Sequence, residues 1–170
     1  EADDIIGTLC EDSQEFGKGE DILIVSSDKD FVQLQKYSNV SQYSPMKKSM
    51  IKEKLPRKQL MELILKGDTS DGVPNVLSGD NVFVEGIRQT PLRQAAIDKL
   101  TTDPKCMGDE IYRNYLRNKK LIDLTETPEP LKRKIINNFT IQKPSSGKNV
   151  LNYLMEKRCK MLIESVGDFV

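Results

Sequence analysis

No histidine occurs anywhere in this 170-residue sequence. Its absence removes Ser-His-Asp triads, Cys-His nucleophile pairs and histidine-held zinc from the chemistry the visible chain can carry. Carboxylates, lysines, hydroxyls and a borrowed metal remain. Cysteine is sparse: Cys10, Cys106 and Cys159 stand far apart, form no CxxC pair and outline no disulfide framework. They read as small buried hydrophobes in a reducing compartment. Long apolar runs are missing as well. No stretch approaches the ~20 residues that span a bilayer, and no signal-peptide pattern is visible, so the expectation is a cytoplasmic protein with no membrane partner. The chain lacks an initiator Met and opens on Glu1-Ala2-Asp3-Asp4, which suggests a fragment.

What is present is a soluble globular balance, 37% hydrophobic and 31% charged, which argues against disorder. The net charge of zero hides a gradient. Residues 1–30 hold ten acids against Lys18 and Lys29, and the remainder is basic. An acidic cluster beside basic surface suits a metal site next to a polyanion; an ordinary solvated surface accounts for the same counts.

The apolar positions Ile5, Ile6, Leu9, Cys10 and Phe16 predict a helix over 2–16, stopped by Gly17 and Gly19. Ile22-Leu23-Ile24-Val25 then has the look of a parallel strand buried on both faces. A short helix is expected over 31–35, and short strands over 40–43 and 50–52 around the Ser44-Pro45 turn. Pro56 and Gly67 bracket a helix over 56–66. Residues 75–90 read as irregular, and helices are expected over roughly 91–101, 109–121, 129–138 and 149–165, with Lys143-Pro144-Ser145-Ser146-Gly147-Lys148 as a linker. The class is α/β: the end of a sheet domain over about 1–55, then a helical region over 56–170. So small a piece of sheet does not close its own core, which points to missing upstream strands.

Three acidic groups carry the chemistry. Glu1, Asp3 and Asp4 stand at a helix start, where capping alone explains acids. Asp28 and Asp30 follow the first strand. In extended geometry residues i and i+2 share a side, at the strand ends where open α/β sheets place ligands; a solvated turn is the other reading. Asp68 and Asp71 lie in Gly67-Asp68-Thr69-Ser70-Asp71-Gly72-Val73-Pro74, a turn-rich loop. Hard oxygen ligands in this number suit Mg²⁺ or Mn²⁺, and two such ions can support phosphodiester hydrolysis. Basic residues near the loop, Lys66, Arg88, Arg93 and Lys99, are candidates for DNA phosphate contacts, as is the stretch Lys47, Lys48, Lys52 and Lys54; each also reads as a solvated surface residue. Apolar stripes after residue 100 read as core. The last helix, with Leu151, Leu154, Met155, Met161 and Leu162, also reads as core rather than as a docking face for a replication partner.

Glu1-Ala2-Asp3-Asp4, Ser26-Ser27-Asp28-Lys29-Asp30-Phe31 and the Gly67–Pro74 loop, in this order and spacing, resemble three successive motifs of the 5′ nuclease (flap endonuclease) superfamily. Ser44-Pro45-Met46, the stretch from Val84 to Pro91, and Gly147-Lys148 with the terminal helix are similar to the T-even phage ribonuclease H branch, so the resemblance spans essentially the whole chain. It implies a PIN-like mixed sheet with helices on both faces, followed by a helix–three-turn–helix over about 56–101 that grips duplex DNA. It also implies Mg²⁺-dependent 5′-3′ exonuclease or flap endonuclease action on branched or nicked DNA and RNA–DNA hybrid, removing RNA primers or 5′ flaps during replication. By resemblance, Glu1, Asp3, Asp28 and Asp30 serve a first metal, and Asp4, Asp30, Asp68 and Asp71 lie around a second, with Asp28, Asp30 and Asp68 at the centre of catalysis. Replication proteins such as a single-stranded-DNA-binding protein or a clamp are the implied partners, in the cytoplasm of an infected bacterial cell for a phage-encoded chain. The family's first-strand aspartates and basic arch are not in this sequence. Glu85-Gly86-Ile87-Arg88-Gln89-Thr90 replaces the Gly-x-Gly-x-Lys hairpin of cellular members. The 170 residues alone are therefore expected to cleave little, and a non-catalytic module binding branched DNA is the alternative. A PIN-like ribonuclease is a third reading, opposed by the long helical region.

Overall fold

Asp3 and Asp4 occupy the first turn of α1 (Ala2–Asp12), where unpaired backbone amides favour anions. The amino group of Glu1 donates to Asp4 Oδ2 at 3.0 Å. The helix ends four residues earlier than the apolar spacing predicts, and Phe16 lies outside the described residues. The computed structural model describes residues 1–15, 17–103, 106–142 and 149–169. The predicted linker over 143–148 also falls outside them.

The sheet is mixed and small. β1 (Ile22–Val25) pairs in parallel with β2 (Val40–Ser44), from Ile22 opposite Val40 to Val25 opposite Tyr43. β3 (Ser49–Ile51) runs antiparallel to β2. A 3₁₀ helix, Asp30–Lys36, forms the crossover between the parallel strands. Ile24 and Val40 pack with Cys10, Phe31 and Leu34, and Ile6, Ile22 and Tyr37 border that cluster. Burial of β1 on both faces is not what forms: Leu23 is 56% and Val25 62% exposed. Successive strand side chains point to opposite faces, and α1 and the 3₁₀ helix cover only the face that carries Ile22 and Ile24.

α2 (Pro56–Lys66) has the bounds its proline and glycine predict. Its Ile64 and Leu65 are buried, Leu65 with Val76, Ile97, Leu100 and Met107, and Ile64 with Val73 and Ile122. Residues 67–93 form turns, among them a helical turn closed where Gly86 takes a left-handed conformation and the Ile87 amide donates to Val82 O. α3 (Gln94–Thr102), α4 (Asp109–Ile122) and α5 (Glu129–Ile141) follow. The fold is thus mixed α/β, a three-stranded sheet followed by a mostly helical region.

Two asparagines bind the irregular loop to α4. Asn114 and Asn118, one helical turn apart, are 1% and 0% exposed. The Asn114 amide donates to Val76 O and Ser78 O, and that of Asn118 to Ile64 O and Pro74 O at 2.8 Å each. Arg117 lies beside them and donates to Pro74 O and to Asp80. Loop carbonyls that no strand or helix satisfies thus find donors on one helix face.

The chain divides into two compact units, Glu1–Ile136 and Asn137–Val170. In the second, the single helix expected over 149–165 is two, α6 (Val150–Glu156) and α7 (Lys160–Glu164). Arg158 takes a left-handed conformation, and the Cys159 amide donates to Leu154 O, a Schellman closure that ends α6. Only Leu154 of the expected apolar stripe is buried; Leu151 and Met155 on α6 are exposed, as are Met161 and Leu162, which the break separates from the register of α6. Of the cysteines, Cys10 is buried, with burial pushing its thiol up to about 11, whereas Cys106 is exposed and donates to Asp103.

Asn118→Leu removes the donor to the Ile64 carbonyl and leaves Pro74 O with Arg117 as its side-chain donor. The expected result in a urea melt is a loss of about 1–3 kcal/mol of unfolding free energy. An unchanged midpoint would show that the Ile64 carbonyl finds another donor.

Candidate metal centre

Three backbone features converge on one cavity of about 120 Å³ in the first unit. The first is the start of α1, which brings Glu1, Asp3 and Asp4. Gly7 lets that helix approach: a Cβ there would stand 2.8 Å from Leu124 Cβ. Thr127 then donates its hydroxyl to Asp4 Oδ1 at 3.0 Å. The second is the turn after β1. Gln42, fully buried on β2, donates its amide to Ser26 O at 3.0 Å and Asp28 O at 2.6 Å, fixing the backbone that leads to Asp30. The third is the loop after α2. Gly67 has φ +68° and ψ −177°, a region essentially closed to side-chain-bearing residues, and a Cβ there would fall 2.3 Å from Val73 O. The Val73 amide donates back to Asp68 O at 2.7 Å, which fastens the loop into a tight return.

Six acids line the cavity: Glu1, Asp3, Asp4, Asp30, Asp68 and Asp71. One carboxylate oxygen from each of Asp30, Asp68 and Asp71 lies within 4.8 Å of the others. When ionised, each such pair repels by roughly 3–4 kcal/mol at an effective dielectric near 20. The Asp30 carboxyl is accordingly pushed up to about 6, first by burial and then by the charge of Asp28. Asp68 moves the other way, to about 2, because Lys29 donates to its Oδ2 at 2.6 Å and Ser70 donates to Oδ1 through both hydroxyl and amide. Asp30 Oδ1 is buried and has no hydrogen-bond partner. Three clustered carboxylates, one of them with a buried oxygen that has no hydrogen-bond partner, form a donor set that a hard divalent cation satisfies, so the residues present fit Mg²⁺ or Mn²⁺.

Asp28 is placed differently from Asp30. The extended geometry that would set both on one side does not form, since Lys29 is helical at φ −71° and ψ −24°. Asp28 is exposed outside the cavity lining, and its carboxylate turns back to accept from the Asp30 amide at 3.0 Å. Among the basic candidates, Lys66 and Arg88 line one open groove of about 530 Å³ with Phe83 and Gln89. Lys66 also meets Glu62 at 2.9 Å. Arg93 and Lys99, at the two ends of α3, lie outside that groove lining. Lys47 and Lys48 are exposed in the turn between β2 and β3. Gln42, Asn114, Asn118 and Thr127 hold the site's backbone and carry no motif that marks them in the sequence. The one visible signal was the repeat Arg113-Asn114 and Arg117-Asn118 at helical spacing.

Comparison with known proteins agrees with this organisation. A family model described as 5′-3′ exonuclease, N-terminal resolvase-like domain, matches residues 1–62, and one described as T4 RNase H, C terminal, matches residues 55–169. The chain is 34% identical over 180 residues to the ribonuclease H of Enterobacteria phage T4, covering 99% of this chain and 58% of that protein. It is 42% identical over 83 residues to a 5′-3′ exonuclease of Buchnera aphidicola subsp. Schizaphis graminum (strain Sg), covering 45% of this chain and 28% of that one. The chain thus spans about 58% of the phage relative's length and a smaller part of the other's. Fold, acidic cavity and N-terminal match together define the class, a nuclease-type α/β chain with a resolvase-like start. Within that class the chain belongs to the T4 RNase H family, by the match over residues 55–169.

Two tests follow from the geometry. The raised Asp30 value means that the folded chain keeps a proton which the unfolded chain releases near pH 4. Its stabilising contribution is complete below about pH 4 and is lost as pH rises through about 6. Asp30→Asn has no charge to bury, so in the absence of divalent ions it melts above the parent near pH 8, by on the order of 1 kcal/mol with solvent screening included, and matches it near pH 4. A mutant that melts lower at both pH values contradicts this placement. Gly67→Ala forces the loop open, and its expected cost in a thermal melt is at least about 2 kcal/mol.

Proposed function

We propose that this chain serves a metal-dependent 5′ nuclease that hydrolyses phosphodiesters in branched, nicked or RNA-primed DNA, removing RNA primers or 5′ flaps during replication. The observation that carries the reading is the six-acid cavity with the buried, partnerless oxygen of Asp30. Glu1, Asp3, Asp4, Asp30, Asp68 and Asp71 are the residues that hold the metal, with Asp28 adding charge from beside the cavity. Two Mg²⁺ ions, replaceable by Mn²⁺, supply water activation and stabilisation of the leaving oxygen when bound.

The protein's own residues divide the remaining work. Asp30 and Asp68 are the central ligands, fixed from behind by Gln42 and by Ser70. Gly67 and Val73 keep the Asp68 loop tight against α2. Lys66 and Arg88, on one open groove, bind backbone phosphates of the duplex, with Arg93 and Lys99 on α3 as outlying contacts. Such contacts position the duplex without reading its sequence and weaken steeply with salt. Residues from about 56 to 101 thus act as the helix–three-turn–helix grip on duplex DNA. No helix among the described residues is long and apolar enough to cross a membrane. Action in the cytoplasm of an infected bacterial cell, beside replication proteins such as a single-stranded-DNA-binding protein or a clamp, completes the proposal.

The test is cleavage of a 5′-labelled RNA-primed or flapped duplex by the gene product that contains this chain, with and without Mg²⁺. Asp68→Asn is expected to lower turnover by on the order of a hundredfold or more while duplex affinity changes by less than about threefold. Normal cleavage by Asp68→Asn would falsify the metal-nuclease reading. DNA binding without cleavage under any metal would establish the non-catalytic module in its place.

A further inference from the structure

Lys29 stands between two neighbouring depressions of the surface. Its ammonium meets Asp68 Oδ2 at 2.6 Å, at the edge of the acidic cavity. Its side chain also lines an adjoining cleft of about 240 Å³ with Asp30, Gln33, Glu62 and Lys66. The two oxygens of Asp68 are held differently. Oδ1 takes the Ser70 amide at 2.9 Å and the Ser70 hydroxyl, which are parts of its own loop. Oδ2 takes Lys29, a flexible side chain that is 61% exposed and comes from a distant segment. The fixed bonds therefore aim the carboxylate, and the movable one neutralises it.

We propose that Lys29 is a displaceable counter-cation of the site. It holds Asp68 beside Asp30 and Asp71 when no ion is bound, and it competes with a divalent cation for Asp68 Oδ2. This rests on the metal-centre reading above. The competition is one of charge and place. A cation that takes Asp68 Oδ2 at bonding distance meets an ammonium already there, and the adjoining open cleft, where Glu62 is already paired with Lys66, gives the exposed Lys29 side chain room to withdraw toward solvent. Lys29 is thereby a positioning residue that sets how tightly the site takes its ion, and it needs no contact with substrate.

The experiment measures Mn²⁺ binding to the chain by electron paramagnetic resonance of the free ion. Lys29→Met keeps the length of the side chain and removes the charge. It is expected to bind Mn²⁺ roughly fivefold more tightly than the parent, the scale of an exposed ion pair. Lys29→Arg restores a cation and returns the affinity toward the parent value. Lys18→Met, which removes a lysine paired with Asp12 and Glu15 on another surface, leaves the affinity unchanged. Equal or weaker Mn²⁺ binding by Lys29→Met overturns the proposal and leaves the metal centre standing. If the parent and every variant take up no Mn²⁺, the metal-centre reading fails and this proposal fails with it. Should Lys29→Met not fold, Lys29→Gln carries the same measurement.

Discussion

Like charges resist being gathered, and this chain gathers them. Asp30, Asp68 and Asp71 present oxygens within 4.8 Å of one another, and three more acids line the same cavity. Much of the surrounding architecture answers that repulsion. Asp30, whose carboxyl is pushed up to about 6, takes a proton as pH falls toward 6, while Lys29 and Ser70 relieve Asp68, which is held down to about 2. Thr127 and the Glu1 amino group share the load of Asp4. Asp4, Asp30 and Asp68 are thus each treated differently by their surroundings.

The backbone that carries the acids is held mainly by neutral amides. Gln42 ties the turn after β1 through Ser26 O and Asp28 O. Gln33 donates to Ile122 O and accepts from the Leu124 amide, tying the 3₁₀ helix to the end of α4. Asn118 ties Ile64 and Pro74 on either side of the Asp68 loop. A buried lysine or arginine in these places would add a fixed charge beside a site built to receive a cation. An amide satisfies buried carbonyls and leaves the local field to the acids. Arg117, which also reaches loop carbonyls, is paired with Asp80.

The sequence made some of this legible. Pro56 and Gly67 marked α2 residue for residue, because both act through local backbone geometry. The order of the acidic motifs pointed to one site, since family resemblance encodes long-range proximity that periodicity does not. Other features escaped it for physical reasons. Whether Leu23 and Val25 are covered depends on what packs against β1, and their apolar character does not settle that. Asp28 and Asp30 differ because one side chain chose the neighbouring amide over the cavity, a competition invisible in spacing. Asn114 and Asn118 resemble surface residues of a helix until the loop they bind is seen. Arg158 is not a residue that announces a left-handed stop, so the break between α6 and α7 gave no warning.

The opposite shifts of Asp30 and Asp68 follow from this arrangement and bear on how the site works. A carboxylate near 2 stays ionised through the neutral range and offers a fixed anchor for a cation. A carboxyl near 6, half removed from water, gives up its proton readily when positive charge approaches. Combining them allows the fold to close while keeping one ligand charged and a second ready. The Asp30 oxygen that has no hydrogen-bond partner completes the contrast: Asp68 is fully held by protein donors and Asp30 is not.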